Sequence, residues 1–483
     1  MNFQIIKRTI GWILLFETIF LLVPMITAAV YWEKEFFDFL ITMVICAGVG
    51  GACIIGKPKN TSIYSKDGFV IVALSWIVMS LFGALPLYFS GAIPSYIDAL
   101  FETVSGFTTT GATIIATGEA IESMPRCILM WRSFTHWVGG MGVLVFIMAF
   151  LPLSGARNMH IMKAESPGPS VGKLVPKVRQ TASILYIIYA VLTLVQIIFL
   201  LCGGMSLFES LTVAFSTAGT GGFGIKGDSL AGYSSYLQIV VTVFMILFSL
   251  NFNSYFLLIR GRMKEVFNTE IRVFFGIVIT AITAITINLC VVSTFDYSIG
   301  EAIKHSAFSV ASVISTTGFA TEDFNLWPAF SKSILVLLMF IGACAGSTGG
   351  GIKVSRVVIL YKGATHEMKR MLHPKQIKTI SMDKHVVEQD VVRGVNAYMV
   401  AYILIFIVSM LLVSFDCQDL ETCFTSIAAT FNNVGPGLGD VGPSGNFAFF
   451  SSFSKLVFIF DMLAGRLEVF PMLLLLAPST WRK

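Results

Sequence analysis

Charged residues are scarce in this 483-residue sequence, and their scarcity excludes a water-soluble globule. Asp, Glu, Lys and Arg make up 13% of the residues, against about 25% in typical soluble domains, while apolar residues reach 55%. The 6 histidines and 8 cysteines form no Cys-x-x-Cys pair and no cluster at metal-ligand spacing. We therefore expect neither a disulfide framework nor a zinc site, and we expect most of the chain to lie in lipid.

Catalytic motifs are also missing. The apolar stretches contain no Ser/His/Asp or Cys/His cluster. The glycine-rich run at 346–351 lacks the lysine spacing of a phosphate-binding loop. We therefore expect no enzymatic activity, no organic cofactor bound by this chain and no nucleic-acid partner.

Long apolar stretches predict ten membrane-spanning helices. They lie near residues 9–31, 36–56, 68–91, 126–152, 180–203, 232–259, 271–293, 328–361, 389–415 and 449–478. Placing the N-terminus in the cytoplasm puts most of the 33 lysines and arginines on the cytoplasmic side. Both termini are therefore expected inside, and the acidic outer segments would concentrate cations.

A half-length, mildly apolar stretch that ends in a turn of small residues occurs four times between alternate spans, on the expected outer side. The four turns contain, in chain order, Thr109-Thr110-Gly111, Thr220-Gly221, Thr316-Thr317-Gly318 and Asn433-Val434-Gly435. Their recurrence at intervals of about 100 residues indicates four repeats of one unit around a shared axis. Each stretch is too short to cross the membrane, so it must enter and return on the same side.

Four re-entrant turns predict a central water-filled path, because irregular backbone at membrane depth is tolerated only where protein buries it or where it lines a cavity. Glycine allows φ > 0 and can aim carbonyl oxygens inward to replace the hydration shell of a monovalent cation. Each preceding half-helix would point its negative end at the pore centre. One Thr-Thr-Gly would more often indicate helix packing, but four in equivalent places favour a cation pore.

A second glycine-rich run interrupts the predicted span at 328–361. It includes Gly346, Ser347, Thr348, Gly349, Gly350 and Gly351. Because each glycine costs about 1 kcal/mol relative to alanine in a helix interior, we expect the helix to break there and to form a loop that blocks the pore.

Arg466 lies about 18 Å of helix from the cytoplasmic interface and needs an internal partner. One choice is a salt bridge with Glu468 or Asp461. The other, which we favour, is that it faces the pore, bonds the carbonyls of the glycine-rich loop and repels cations. Arg132 lies shallower and is expected to pack or to pair.

The four turns and the glycine-rich run at 346–351, together with two further segments, resemble the Trk/Ktr/HKT potassium transporters over nearly the whole chain. The further segments are Trp137-Val138-Gly139-Gly140-Met141-Gly142 and Gly465-Arg466-Leu467-Glu468. Two extra N-terminal helices make the chain most similar to the bacterial TrkH branch. The resemblance implies an all-α polytopic membrane protein with four membrane-pore loop-membrane repeats around a central pore plus those two helices. The expected units are the N-terminal extension at 1–60 and repeats at 61–160, 161–262, 263–385, with its broken second helix, and 386–483.

The resemblance also implies potassium uptake across the bacterial inner membrane. The selectivity filter would be formed by Gly111, Gly221, Gly318 and Gly435, with the glycine-rich loop and Arg466 as the gate. It implies a homodimer and a cytoplasmic TrkA-like regulatory subunit that binds NAD or ATP. The basic loops at 157–179 and 353–393 are long enough to contact that subunit or, alternatively, anionic lipid heads. The alternative function is a proton- or sodium-coupled cation symporter. Many such transporters have two halves of inverted topology and acidic residues near the middle of the membrane, and neither feature is apparent in the sequence.

Overall fold

Membrane-length apolar helices dominate the structure, which is a computed structural model. It describes residues 1–56, 65–115, 119–142, 178–292, 297–373, 379–383, 385–417 and 419–481. Within these residues six helices are long and apolar enough to cross a membrane, and one bent pair makes a seventh. The chain is therefore a multi-pass membrane protein, as its composition predicted. The predicted boundaries at residues 60 and 160, and residues 157–177 of the predicted basic loop at 157–179, lie outside the described residues.

Three helices precede the repeats and form two spans. Helices α1 (Phe3–Phe20) and α2 (Leu22–Tyr31) follow each other closely in one long span, and α3 (Phe36–Ile54) packs against α1. Glycine permits this close approach, because a Cβ atom added at Gly11 would lie 2.8 Å from the carbonyl oxygen of Gly50 on α3. The predicted two-span N-terminal extension is confirmed.

Each repeat contains a spanning helix, a short pore helix and a second helix. The spanning helices are α4 (Ser65–Gly83), α9 (Val178–Cys202), α14 (Thr269–Val291) and α18 (Gln389–Val413). The pore helices are α6 (Tyr96–Phe107), α10 (Leu207–Gly219), α15 (Ile299–Ile314) and α19 (Leu420–Phe431). The second helices begin with α8 (Arg126–Gly140), α11 (Ser235–Ser249), α16 (Ala329–Ile341) and α20 (Ser452–Arg466).

Shorter elements connect or extend these helices. They are α5 (Leu85–Phe89), α7 (Glu119–Glu122), α12 (Phe252–Ile259), α13 (Met263–Val266), α17 (Val354–Leu372), α21 (Phe470–Leu476) and α22 (Pro478–Trp481). A small antiparallel hairpin pairs β1 (Ser381–Met382) with β2 (His385–Val386). The all-α class with four pore-loop repeats is therefore confirmed.

Side-chain caps determine where the pore helices begin. Ser206 and Glu209 form a reciprocal capping box at the start of α10, and Ser298 and Glu301 do the same for α15. The other two pore helices begin at the capping residues Ser95 and Asp419. The four pore helices contain between 12 and 16 residues, which is too few to cross the bilayer.

Within the described residues the second helices break in the second, third and fourth repeats, whereas the sequence predicted a break only in the third. Helices α11 and α12 meet at 91°, and Asn251 starts α12 by accepting a hydrogen bond from the amide of Asn253. In the third repeat an irregular loop separates α16 from α17. In the fourth, Glu468 and Val469 adopt left-handed φ angles of 57° and 68° between α20 and α21. These breaks interrupt three of the ten predicted spans, and the predicted span near 126–152 extends beyond the described residues.

Gly11→Leu should destabilise the protein, because the added side chain would collide with the backbone of α3. We expect a loss of about 1–3 kcal/mol of stability, seen as a lower thermal unfolding midpoint in detergent. Gly48→Leu is the matched control, since a Cβ atom at Gly48 on α3 meets nothing within 4 Å. Equal midpoints for the two variants would contradict the close α1–α3 packing.

Candidate functional site

Each pore helix ends in a turn that contains two left-handed residues. The first is Thr109, Thr220, Thr316 or Asn433, with φ between 55° and 59°. The second, two residues later, is Gly111, Gly222, Gly318 or Gly435, with φ between 78° and 97°. A left-handed backbone disfavours residues that carry a Cβ atom, so the glycines have a conformational reason to be there.

The second turn differs by one residue from the sequence prediction. Gly222, rather than Gly221, matches the conformation of the glycines in the other three turns. Gly221 takes the place held elsewhere by Thr110, Thr317 and Val434. Two consecutive glycines made the register ambiguous in the sequence, and the φ angles decide it.

The four turns close into a ring through contacts between neighbouring repeats. A Cβ atom added at Gly111 would lie 1.9 Å from the carbonyl oxygen of Gly221, and one added at Gly222 would lie 1.9 Å from that of Thr317. The remaining two contacts are Gly318 with the Val434 oxygen, 2.3 Å, and Gly435 with the Thr110 oxygen, 2.7 Å. Each repeat thus contacts the next, the fourth contacts the first, and no glycine of the ring has room for a side chain.

Side chains behind the ring hold the turns in place. The hydroxyls of Thr108 and Thr110 are 2.8 Å apart, and those of Ser315 and Thr317 are 2.6 Å apart. Asn433 Nδ2 donates to Thr110 Oγ1 at 2.9 Å, which joins the fourth turn to the first. The turn residues that carry these bonds are buried, so the polar layer is internal to the protein.

A cavity of about 70 Å³ lies beside the ring and is called the filter cavity here. Its lining includes Gly111, Gly222, Gly318 and Gly435, one from each repeat. Arg132 also lines it. The four turns, predicted from separate parts of the sequence, therefore meet at one opening.

The glycine-rich run forms a loop packed against the third and fourth turns. It lies between α16 and α17 and contains left-handed glycines at Gly342, Gly346 and Gly351. The amide of Gly350 donates to Thr316 Oγ1 at 2.6 Å, and that of Gly351 donates to the carbonyl of Asn432 at 3.1 Å. The predicted helix break is therefore present, and the loop is bonded directly to the turn backbone.

The remaining predicted gate residues contact different parts of the protein, and the carbonyl of Gly346 accepts from the amide of Phe252 in the second repeat at 3.0 Å. Thr348 Oγ1 donates to the carbonyl of Phe248 at 3.2 Å, and Ser347 Oγ donates to that of Cys344 at 2.6 Å. A Cβ atom added at Gly349 would lie 2.7 Å from the carbonyl oxygen of Ser315. The loop thus contacts the second, third and fourth repeats.

Arg466 reaches the loop, as the favoured prediction stated. Its Nη1 donates to the carbonyl of Thr348 at 2.7 Å, and its Nη2 donates to the carbonyls of Gly139 and Gly140 at 2.6 Å each. The guanidinium therefore connects the end of α20 with the end of α8 and the loop.

The two acids considered as alternative partners of Arg466 have bonds elsewhere. Glu468 forms an ion pair with Arg356. Asp461 Oδ1 accepts from Ser409 Oγ at 2.7 Å. Carbonyl oxygens of the first and third repeats are thus direct hydrogen-bond partners of Arg466.

Three buried residues near the loop escaped sequence reasoning. Lys353 and Arg356 were assigned to a cytoplasmic loop, but they are only 2% and 5% exposed. Lys353 has a left-handed φ of 82°, and its ammonium donates to the carbonyl of Gly349. Glu270 accepts from the amides of Ala345 and Ser355 at 2.7 and 3.2 Å, on either side of the loop.

One signal could have found the lysine. Lys353 follows the Gly349-Gly350-Gly351 run by two residues, so a loop folded back into the protein carries it inward. Topology prediction from hydropathy places every lysine outside a predicted span in water, and it therefore misplaced Lys353.

Comparisons with known proteins agree with this architecture. A family model described as TrkH, cation transport protein, matches residues 35–483. The Trk system potassium uptake protein TrkH of Salmonella typhimurium is 35% identical over 492 residues, and the alignment covers 100% of both chains. The Trk system potassium uptake protein TrkG of Escherichia coli K12 is 33% identical, with 99% of each chain covered.

A solved structure shares the fold as well. The crystal structure of the potassium transporter TrkH from Vibrio parahaemolyticus superposes with a TM-score of 0.89 at 33% identity, and the match covers 100% of both chains. The match therefore includes the N-terminal helices, all four repeats and all four turns of this chain. The chain belongs to the TrkH family of cation transport proteins.

Proposed function

We propose that this chain takes up potassium ions across the bacterial inner membrane, through the opening enclosed by its four turns. The observation that carries the proposal is the closed ring in which each turn glycine contacts the carbonyl of the next repeat. Relatives at 33–35% identity are potassium uptake proteins by name. The alternative, a proton- or sodium-coupled cation symporter, would use the same opening.

The ring suits a dehydrated monovalent cation. Backbone carbonyls replace water ligands without adding a fixed negative charge, which would bind a cation too tightly for it to leave. All four pore helices end at the ring, so their negative C-terminal ends, each equivalent to about half an elementary charge, favour cations there. The ion-facing residues are proposed to be Thr109, Thr110, Gly111, Thr220, Gly221, Gly222, Thr316, Thr317, Gly318, Asn433, Val434 and Gly435.

The gate is proposed to be the glycine-rich loop at 346–351 together with Arg466 and Lys353. Both cations donate to loop carbonyls, those of Thr348 and Gly349 respectively. An ion that passes the ring would meet the Arg466 guanidinium and the Lys353 amine, which are both hydrogen-bonded inside the protein. Opening therefore requires the loop to release these carbonyls and move aside.

Regulation and assembly are proposed from the family resemblance. Both termini would be cytoplasmic, and two copies would assemble with a TrkA-like subunit that binds NAD or ATP. The described part of the 353–393 stretch offers exposed cations, including Lys369 and Arg370 near the end of α17. These are suited to an acidic surface of such a subunit.

Gly111→Ser should reduce the preference for potassium over sodium. A side chain at this left-handed position would overlap the Gly221 carbonyl, which would then have to leave the ring. Ion flux into liposomes that contain the purified chain, with potassium, rubidium, sodium or lithium as the test ion, measures the preference. We expect about a tenfold loss, since displacing one ligand of the ring costs about 1.4 kcal/mol or more.

Gly91→Ser is the matched control for the filter variant. Gly91 also has a left-handed φ, 69°, but a Cβ atom there meets nothing within 4 Å. It should keep the selectivity of the unaltered chain while carrying the same backbone strain. A Gly111→Ser protein as selective as the control would argue against the ring as the filter.

Arg466→Ala should raise potassium flux several-fold, because it removes one positive charge from the pathway and frees the loop from α8. The same liposome assay measures the rate at fixed protein content. Arg272→Ala is the control, since this arginine is 66% exposed and lies at the start of α14. Flux that stays unchanged in Arg466→Ala would remove the arginine from the proposed gate.

A further inference from the structure

A buried acid in the first pore helix is bonded to the backbone that leaves the first filter turn. Glu102 lies on α6 and is 1% exposed. Its carboxylate accepts from Thr113 Oγ1 at 3.0 and 3.1 Å and from the amide of Ile114 at 3.0 Å. Thr113 and Ile114 follow Gly111 within three residues, so Glu102 fixes the exit of that turn.

The partner of this acid is bonded to the second filter turn as well. Arg132 on α8 is 3% exposed and donates to Glu102 through Nε at 2.8 Å. Its Nη1 lies 3.5 Å from the carbonyl oxygen of Gly224, and its guanidinium lies 4.1 Å from the centre of the Phe223 ring. Phe223 and Gly224 directly follow Gly222, so one ion pair contacts the exits of two neighbouring turns.

In the other repeats hydroxyl groups bond to the turn exits. Ser216 and Ser312, each six residues before the turn glycine, donate to the carbonyls of Phe223 at 3.0 Å and Phe319 at 2.6 Å. In the first repeat the equivalent residue is Ser105, whose buried Oγ has no hydrogen-bond partner among the described residues.

The fourth repeat follows the same principle with another residue. Thr425 Oγ1 accepts from the amide of Leu438 at 2.9 Å and lies 3.1 Å from its carbonyl oxygen. In the third repeat His305 on α15 also lies 3.1 Å from Thr321 Oγ1 and 3.3 Å from the partly exposed carboxylate of Glu322. Among the described residues, the first repeat therefore differs from the rest in bonding its turn exit to a fully buried carboxylate–guanidinium pair.

We infer that Glu102 and Arg132 are positioning residues for cation selectivity, and that their ion pair sets the spacing between the first and second turns. This inference rests on the proposed function of the ring as a potassium filter. Gly111 and Gly221, whose contact joins the first turn to the second, each lie within three residues of a segment that the pair contacts. Losing the pair frees both segments and lets the Gly221 carbonyl move away from the ion path.

The pair also controls charge at the filter cavity. Arg132 lines this cavity, and Glu102 offsets its positive charge at contact distance. Without the carboxylate, a buried cation would face the entering potassium ions. Loss of positioning and loss of charge balance therefore predict different results for single and double variants.

The experiment measures the potassium-to-sodium flux ratio of the full-length purified chain in liposomes. Glu102→Gln leaves the arginine unbalanced, whereas Glu102→Gln combined with Arg132→Met removes both charges and keeps the side-chain volumes similar. We expect both proteins to lose about tenfold in selectivity, because both lose the charge-assisted hydrogen bonds to the turn exits. Recovery of selectivity in the double variant would overturn the positioning role and leave only the charge effect.

Two conservative changes test the geometry of the pair. Arg132→Lys keeps the charge but lacks the planar fork, so it should lose the contacts with Phe223 and Gly224 and lower selectivity. Glu102→Asp keeps a carboxylate one methylene shorter and should retain part of the selectivity. These variants preserve charge balance, so they still test the inference if the neutral variants fail to fold.

Asp98→Asn is the matched control on the same pore helix. Asp98 pairs with Lys455 at 2.7 Å, but in the first turn of α6, at the end remote from the filter. Its loss should lower the thermal unfolding midpoint and leave the flux ratio unchanged. An equal loss of selectivity in Asp98→Asn would mean that any destabilisation of α6 lowers selectivity. That result would contradict a specific role of Glu102.

The results separate this inference from the proposed function. If the unaltered chain shows no preference for potassium, both proposals fail together. If the unaltered chain is selective and Gly111→Ser is not, while every Glu102 and Arg132 variant keeps the original ratio, the filter stands and only the positioning role is overturned.

Discussion

The close approach of each turn glycine to a carbonyl oxygen of the next repeat is the contact on which the rest of the structure depends. Gly111 and Gly222 leave no space for a Cβ atom against their neighbours, and their left-handed φ angles would be strained with one. The contact requires four pore helices that end at the same depth. Their N-caps set where these helices begin, and the spanning helices keep the exposed backbone of the turns away from lipid.

Four different sequences build this one ring, and the covalent connection between repeats makes that possible. Identical subunits around an axis must present the same residues at every position. Here the first turn is braced by a Thr108–Thr110 contact and the fourth by Asn433. The third repeat alone supplies the glycine-rich loop, and the fourth supplies Arg466. Each repeat therefore combines a shared turn with one specialised part.

Much of this arrangement could be predicted from the sequence, because its signals are local. Four short stretches that end in Thr, Asn and Gly indicate re-entrant turns, and a glycine-rich run in an apolar span indicates a break. The register of the second turn was wrong by one residue, since Gly221 and Gly222 are equally permissive and only the three-dimensional alignment distinguishes them. The break before α12 was missed because Leu250 and Asn251 include neither glycine nor proline.

Burial of charge was the other part that the sequence could not supply. Lys353 and Glu270 look like interfacial residues by hydropathy, yet both are bonded to the backbone of the glycine-rich loop. Their partners are amides and carbonyls, which leave no pattern in the side-chain sequence. For Arg466 the bond to a loop carbonyl was predicted from its depth in the span, whereas its bonds to the carbonyls of Gly139 and Gly140 in the first repeat were not.

Carbonyl partners have an energetic consequence for the proposed gate. A carbonyl partner, unlike a carboxylate, stabilises the Arg466 guanidinium without opposing its charge. One positive charge about 8 Å from a passing ion raises its energy by about 2 kcal/mol at an effective dielectric constant of 20. An inside-negative potential of about 100 mV supplies about 2.3 kcal/mol per entering ion. Because this barrier and the driving force would be of similar size, the proposed gate would need to move the loop by only a few ångströms to change the balance between them.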